Sequence, residues 1–350
     1  MSEGSFRDGG HEGGGFRLAG TDRTARASAA AAGQGRGVGA ACGVCGTDVH
    51  IYRGKLREAV RPPVVLGHEI AGTVEAVGEG VDNVRVGQSV CVDPVISCGR
   101  CEYCHTGRSN LCGSLTTIGY VRNGGYAEVT VAPAGNLYVL KPQVPATGGI
   151  LVETLACVLN GYEKLNPQPG RTAMILGAGS VGLLWGQLLR ASPITLLIQT
   201  EPVSFRRQRA QQLGADVVID PQTEDVAGRV RAIAPEGIDY VIDASGDPQA
   251  VEQGIGLVKK GGTFVVFGVC PSDATVRVSP YELYQKEMRI IGSKMPPWSL
   301  ERAARMIEAG LIDHARLVGE PMPLQRLPEA LEMFETARDR QIKMAIAPGA

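Results

Sequence analysis

The sequence predicts a two-domain α/β protein, with a β-rich domain followed by a doubly wound domain built on a parallel sheet. Three observations predict this. The chain has 350 residues, which exceeds one ordinary core. Its first half alternates short apolar segments with glycine-containing turns. After residue 150, fully apolar runs alternate with helical stretches, a pattern typical of parallel strands that are buried on both faces.

Composition limits the classes of partner. The net charge is −1, which disfavours nucleic acid or an anionic membrane surface as the main partner. No apolar run reaches the roughly 18 residues of a spanning helix, and the first residues lack the apolar core of a signal peptide. We therefore expect a cytoplasmic protein, in which clustered cysteines favour metal over disulfides.

Residues 1–39 differ from the rest of the chain. They contain 11 glycines, an alanine-rich run at 27–32 and no helical or strand period. We expect this segment to be disordered. The next domain is predicted to span 40–150, with strands within 70–81, 86–95, 124–133 and 136–142.

The doubly wound domain is predicted over 151–295. Strands are expected at 172–177, 194–200, 217–220, 238–245 and 262–269, with helices between them. Residues 296–350 carry two amphipathic helices, at 299–311 and 327–339, and a final strand near 343–348.

A glycine loop follows the first strand of this second domain. GAGSVG at 177–182 fits G-x-G-x-x-G, and its place between a strand and a helix strengthens the match. Gly177 permits the turn, Gly179 lets a pyrophosphate approach and Gly182 lets the helix pack on the strand. Glu201 ends the next strand, where an acid binds the adenosine ribose and repels a 2′-phosphate. NAD is therefore favoured over NADP, although Arg206 and Arg207 weaken that inference.

Four cysteines fall within CGRCEYCHTGRSNLC at residues 98–112. Thiolates at such spacing can converge on one tetrahedral zinc ion, and four of them close its coordination shell. The cluster therefore indicates a structural zinc site made by Cys98, Cys101, Cys104 and Cys112, with a disulfide pair or an iron–sulfur cluster as alternatives.

A second set of candidate ligands is dispersed. It comprises Cys45, Thr47, Asp48 and His50 in GVCGTDVHIYRG, His68 and Glu69 in GHEIAG, and Glu153 and Cys157 in ETLACVLNGY. Taken singly, each has an ordinary structural explanation. Cys45 can be a core thiol, His68 a hydrogen-bonded core imidazole and Glu153 an acid at a helix N-terminus.

Together these motifs, in this order, resemble the zinc-dependent medium-chain alcohol dehydrogenases from about residue 40 onward, nearest the polyol (sorbitol) and threonine dehydrogenase branch. The resemblance implies a GroES-like catalytic domain, a Rossmann domain and a C-terminal return to the first domain. It implies one catalytic and one structural zinc per chain, NAD as cofactor, a small alcohol or polyol as substrate, and a homo-oligomer, either a tetramer or a dimer.

The resemblance also assigns roles to residues. Cys45 and His68 match ligands of the catalytic zinc, Glu69 a ligand that exchanges with water or substrate, and Asp48 a partner of the zinc-bound histidine. The third protein ligand is Glu153 or Cys157, of which Glu153 is favoured. Thr47 and His50 match a proton relay. The expected cofactor-binding residues are Gly177, Gly179, Ser180, Val181, Gly182, Glu201, Arg206, Phe267, Gly268 and Val269.

The leading interpretation is hydride transfer between NAD and a secondary alcohol, with a polyol as the expected substrate. L-Threonine 3-dehydrogenase or another zinc alcohol dehydrogenase is the alternative within the class. A different class is a non-catalytic relative that binds nucleotide and only the structural zinc. A damaged gene product, in which residues 1–39 come from a shifted reading frame, is a further alternative.

Overall fold

The computed structural model describes residues 34–56, 60–297 and 299–347. A mixed sheet in the first domain has the order β14-β15-β1-β2-β3-β7, and β6 also pairs with β1. Its strands are β1 (Gln34–Gly43), β2 (Glu69–Val77), β3 (Ser89–Val92), β6 (Val129–Pro133), β7 (Leu137–Val139), β14 (Met322–Pro323) and β15 (Ala345–Ala347). Because β14 and β15 lie near the end of the chain, the C-terminal segment returns to the sheet of the first domain.

The second domain contains a six-stranded parallel sheet with helices along it. Its order is β10-β9-β8-β11-β12-β13. In this doubly wound arrangement, successive strands are added on one side of β8 first and then on its other side, beginning with β11. The strands are β8 (Thr172–Leu176), β9 (Leu196–Thr200), β10 (Val217–Ile219), β11 (Ile238–Asp243), β12 (Val258–Val266) and β13 (Arg289–Gly292). Every residue of β11 is buried, Asp239 and Asp243 included, as is typical of a central parallel strand covered on both faces.

Helices connect and cover these sheets. They are α1 (Gly46–Tyr52), α2 (Glu102–His105), α3 (Ala146–Gly149), α4 (Leu151–Leu165), α5 (Ser180–Ala191), α6 (Ser204–Gln212), α7 (Val226–Ile233), α8 (Pro248–Gly256), α9 (Pro280–Lys286), α10 (Leu300–Glu308) and α11 (Leu327–Thr336). The helix α4 packs against β2 and β3 of the first domain and against α5, β12 and β13 of the second. It therefore joins the two cores.

The strand β1 corrects one expectation. Residues 34–39 were expected to belong to a disordered segment, but they form the first part of β1 and pair with both β2 and β6. The strand QGRGVGAACG has no apolar alternation, and its register shifts twice against β2. Backbone pairing on both sides therefore fixes this strand where side-chain pattern gives no signal. Residues 1–33 lie outside the described part of the chain.

The four-cysteine segment forms a small lobe beside the first domain. It contains α2 and lies next to a two-stranded sheet of β4 (Val95–Ile96) and β5 (Thr116–Thr117). The buried amide of Asn110 donates from this lobe to the carbonyl oxygens of Lys294 and Met295, at 2.8 and 3.2 Å. The lobe is thus tied to the turn that follows β13.

Candidate active site and metal centres

A buried aspartate organises the loop around Cys45. Asp48 lies in the first turn of α1, and its carboxylate accepts hydrogen bonds from the Cys45 backbone at 3.1 Å and the Tyr126 hydroxyl at 2.9 Å. It also lies 3.2 Å from Nδ1 of His68. Burial raises the pKa of Asp48, but His68 and these hydrogen bonds outweigh burial and lower it overall. Asp48 is therefore an anion that fixes both Cys45 and His68.

His68 presents its other ring nitrogen to the site. Because Nδ1 faces Asp48, Nε2 is the ring nitrogen that faces the site, and it lies within hydrogen-bond distance of the Tyr120 hydroxyl, at 3.2 Å. Burial lowers the pKa of His68, whereas Asp48 and Cys45 raise it well above the usual value in total. A carboxylate behind a histidine ring is the arrangement that orients metal-binding imidazoles.

Three of the dispersed candidate residues lie close together. One ligand atom each from Cys45, His68 and Glu69 lies within 4.8 Å of the other two. Sulfur, nitrogen and oxygen in one tight group are donors that suit zinc. Glu69 Oε2 is buried, and the ammonium group of Lys343 lies against it.

Glu153 and Cys157 stand beside this group but are not part of it. They face each other on α4, where Cys157 Sγ donates to Glu153 Oε1 at 3.4 Å. Burial, reinforced by Glu69 and opposed by His68, raises the pKa of Glu153 to about 7. The choice between them as third protein ligand stays open, and Glu153 remains the favoured prediction.

Glu69 forms a buried ion pair with Lys343, a residue of the C-terminal segment. It also accepts a hydrogen bond of 2.8 Å from the Thr154 hydroxyl on α4. The two charged side chains are almost fully buried, at 1% and 2% exposure. The carboxylate is therefore held by Lys343 and Thr154 while it stands among the candidate metal ligands.

The sulfur atoms of the four-cysteine group also lie close together. Ligand atoms of Cys98, Cys101, Cys104 and Cys112 lie within 4.8 Å of one another. Backbone N–H groups of Cys98 and Ser114 donate to Cys112 Sγ at 3.5 and 3.4 Å, which fixes the position of this sulfur. Four soft ligands without a fifth donor fit a closed zinc shell.

A cleft of about 770 Å³ joins the glycine loop to the dispersed group. Cys45, Glu69 and Lys343 line one part, whereas Gly177, Gly179, Ser180, Val181, Glu201 and Arg206 line another. Gly177 has a φ of 104°, and a Cβ on Gly182 would meet the Gly177 carbonyl oxygen at 2.1 Å. Both positions therefore require glycine, Gly177 for the turn and Gly182 for the close approach of the helix to the strand.

Glu201 lies at the end of β9 with its carboxylate held by the backbone. It accepts hydrogen bonds from the N–H groups of Ala178 at 2.8 Å and Val203 at 3.1 Å. Arg207 forms an ion pair with Asp220 at 3.0 Å. Burial lowers the pKa of Arg206, although the nearby Glu201 opposes this shift. The acid and Arg206 both reach the cleft, whereas Arg207 is engaged elsewhere.

The other predicted residues lie at varying distances from the cleft. Thr47 Oγ1 is 3.7 Å from Cys45 Sγ. Burial and Lys55 lower the pKa of His50, which is partly exposed on α1. Phe267 packs edge-on against the Trp185 ring, Gly268 donates to the Asp243 carbonyl, and Val269 is 77% exposed. Phe267, Gly268 and Val269 do not line the cleft, and their cofactor role stays a prediction.

Three site residues escaped the sequence analysis. Lys343 lies in an apolar terminal segment, Thr154 stands between the two candidate ligands on α4, and Tyr120 follows the four-cysteine lobe. A lone lysine in the apolar run KMAIA was the only signal for any of them, since a buried lysine needs an acid as partner.

Sequence comparison places the chain in a known family. Residues 39–143 match the profile of the alcohol dehydrogenase GroES-like domain, and residues 180–309 match that of the zinc-binding dehydrogenases. D-Arabinitol dehydrogenase 1 of Uromyces fabae is 32% identical over 88% of this chain and 88% of its own length. The chain therefore belongs to the zinc-dependent medium-chain alcohol dehydrogenase family.

Within that family, the chain lies near the polyol and threonine dehydrogenase branch. An L-threonine 3-dehydrogenase of Pyrococcus horikoshii is 36% identical over 67% of this chain and 68% of its own length. The predicted branch is thus confirmed.

Solved structures confirm the fold. A zinc-binding dehydrogenase from Sinorhizobium meliloti 1021, bound to NADP, aligns with a TM-score of 0.87 and 34% identity over 91% of this chain and 93% of its own. An alcohol dehydrogenase from Escherichia coli CFT073, complexed with NADH, aligns with a TM-score of 0.86 and 28% identity over 92% and 94%. Among the helices that the structure describes, none has the length and apolarity to cross a membrane.

The buried ion pair makes a stability prediction. Lys343→Met leaves the Glu69 carboxylate buried without its cation, so the metal-free protein should lose about 3–5 kcal/mol of unfolding free energy. The matched control is Arg53→Met, which breaks an exposed pair with Glu335 and should cost at most about 1 kcal/mol. Urea unfolding of both variants measures this, and equal losses would contradict a special role for the Glu69–Lys343 pair.

Proposed function

We propose that this protein is a zinc-dependent oxidoreductase that transfers hydride between NAD(H) and a secondary alcohol, with a polyol as substrate. The observation that carries the proposal is the single cleft shared by the glycine loop and by Cys45 and Glu69, two of the three clustered ligands. A nucleotide bound at the loop can extend along this cleft toward the ligands. The polyol and threonine dehydrogenases among its relatives support the substrate class.

Cys45 and His68 would hold the catalytic zinc, with Glu153 or Cys157 completing the protein ligands and Glu69 exchanging with water or substrate. Such an ion supplies Lewis-acid chemistry that lowers the pKa of a substrate hydroxyl. Asp48 orients His68 and keeps its Nε2 available. Lys343 and Thr154 hold Glu69 in place when it is not needed as a ligand.

Thr47 and His50 would carry the substrate proton toward water. The Thr47 hydroxyl stands beside Cys45, and His50 lies one turn further along α1. Because the pKa of His50 is lowered, its ring is neutral at pH 7 and can accept a proton. The closed four-cysteine site would hold a second zinc that stabilises its lobe and does no chemistry.

Two alternatives remain distinguishable. L-Threonine 3-dehydrogenase would use the same ligands on an amino acid, so threonine belongs in any substrate screen. A non-catalytic relative would bind nucleotide and keep zinc only at the four cysteines, so it would contain one zinc per chain. The buried convergence of Cys45, His68 and Glu69 favours the enzyme.

The direct test is NAD reduction with sorbitol, xylitol, arabinitol, threonine, butanediol and simple alcohols. We expect activity with a polyol that a chelator abolishes, and two zinc ions per chain by mass spectrometry. Cys45→Ser should remove one zinc and reduce kcat at least about 100-fold, because a soft ligand is lost. The control Cys270→Ser removes a thiol outside both clusters and should keep two zinc ions. One zinc in the wild type, without turnover, would refute the enzyme.

We propose NAD, over NADP, as the preferred cofactor. The support is Glu201, whose carboxylate is fixed at the end of β9 on the cleft wall, where it would repel a 2′-phosphate. Arg207 is occupied by Asp220, whereas Arg206 lines the cleft together with Glu201. The NADP-bound and NADH-bound relatives show that the family accommodates both.

Glu201→Gln tests this preference. Removing the charge should lower the ratio of kcat/KM for NAD to that for NADP about 5- to 30-fold, which corresponds to roughly 1–2 kcal/mol of repulsion. Glu236→Gln removes an exposed charge from the same domain and is the matched control. A wild type that prefers NADP, or an unchanged ratio in Glu201→Gln, would contradict the assignment.

We also propose a homo-oligomer that uses the edge strand β13. Large apolar side chains are exposed around this edge, including Tyr281 at 71%, Tyr284 at 77% and Ile290 at 37%. An edge strand with such surface is suited to pairing with a second copy. The cytoplasmic location inferred from the sequence stays a prediction.

Light scattering on the purified protein tests the oligomer. We expect a dimer or tetramer that Ile290→Lys shifts toward the monomer, since a charge on the edge strand opposes pairing. Leu311→Lys alters another exposed apolar residue, at 52% exposure, and should leave the mass unchanged. A monomeric wild type would exclude the proposal.

A further inference from the structure

Tyr120 stands at the candidate metal centre without a role in the proposed reaction. Its hydroxyl lies 3.2 Å from His68 Nε2, and the two ring centroids are 5.0 Å apart. The ring is partly exposed, so a small molecule in the site can reach it. Burial, followed by the nearby Cys45, Asp48 and Glu153, raises the pKa of its hydroxyl well above the usual value.

The loop that carries Tyr120 is built to approach His68. Gly119 has a φ of 91°, and a Cβ at this position would lie 2.6 Å from the Gly67 carbonyl oxygen and 3.2 Å from His68 Cβ. Backbone hydrogen bonds from Tyr120 to Thr117 and from Arg61 to Tyr120 hold the loop, both at 3.2 Å. The position of the Tyr120 hydroxyl is therefore set by the backbone.

The hydrogen bond to His68 is incompatible with metal binding at the same atom. Nδ1 faces Asp48, so Nε2 is the ring nitrogen that either shares a hydrogen bond with Tyr120 or, once deprotonated, binds a metal. When a zinc ion takes the Nε2 lone pair, the Tyr120 hydroxyl loses this hydrogen-bond partner. A bound substrate that covers Tyr120 must then supply a new partner, because a buried unsatisfied hydroxyl is costly.

We propose that Tyr120 is a specificity-determining residue, whose hydroxyl donates to a second hydroxyl of the substrate, next to the one that reacts. This inference rests on the proposed function and deepens it, since it names substrates with adjacent hydroxyls as the preferred class. A mono-alcohol leaves the Tyr120 donor without that partner and is disfavoured for this reason. The Thr47 hydroxyl, which also interacts with the Tyr120 hydroxyl, is present with either kind of substrate and does not distinguish them.

The test compares Tyr120→Phe with wild type in the zinc-loaded protein, using 2,3-butanediol and 2-butanol, which differ by one hydroxyl. We expect kcat/KM for the diol to fall about 10- to 100-fold, and that for 2-butanol to change less than about threefold. Zinc content should not change. Tyr138→Phe removes a phenol hydroxyl from β7, outside the cleft, and should behave as wild type on both alcohols.

A second readout needs no turnover. Calorimetric titration of 2,3-butanediol into the zinc- and NADH-loaded protein should show about 10- to 100-fold weaker binding in Tyr120→Phe. Equal losses with both alcohols, loss of zinc, or unchanged diol binding would each overturn the proposal. If the wild type oxidises neither alcohol, the proposed function fails, whereas the calorimetric comparison still decides the role of Tyr120.

Discussion

The antiparallel pairing of β1 with β2 is the constraint on which the candidate active site depends. Its register sets Gly43 opposite Glu69, so Cys45, two residues past Gly43, comes beside His68. The approach is close enough that a Cβ on Gly43 would lie 2.0 Å from Glu69 Oε2. A shift of one residue would turn the paired side chains to the opposite face and separate the ligands.

Buried charged side chains are the second feature of this site, and most of them face a partner of opposite charge. Asp48 faces His68, Glu69 faces Lys343, and Glu153 stands nearby with a raised pKa. A buried charge persists only with a partner or a metal. The site therefore contains one acid, Glu153, that a bound cation would keep ionised, which is consistent with its favoured place among the ligands.

Local motifs were the most predictable part of this protein. The glycine loop and the four cysteines are contiguous in sequence, so their chemistry follows from spacing and neighbouring elements alone. The dispersed ligands Cys45 and His68 required a family resemblance, because no local rule brings them together. The strand β1 was missed at Gln34–Gly39, since its conformation comes from pairing with β2 and β6. Tyr120 was missed because only tertiary structure brings its hydroxyl to His68.

The proposed chemistry requires that Cys45 and His68 share one metal ion at the cleft. The most direct measurement is anomalous diffraction at the zinc absorption edge from crystals of the zinc-loaded protein. We expect two peaks per chain, one among the four lobe cysteines and one within bonding distance of Cys45 Sγ and His68 Nε2. A peak at the lobe alone, with Tyr120 still hydrogen-bonded to His68, would contradict it.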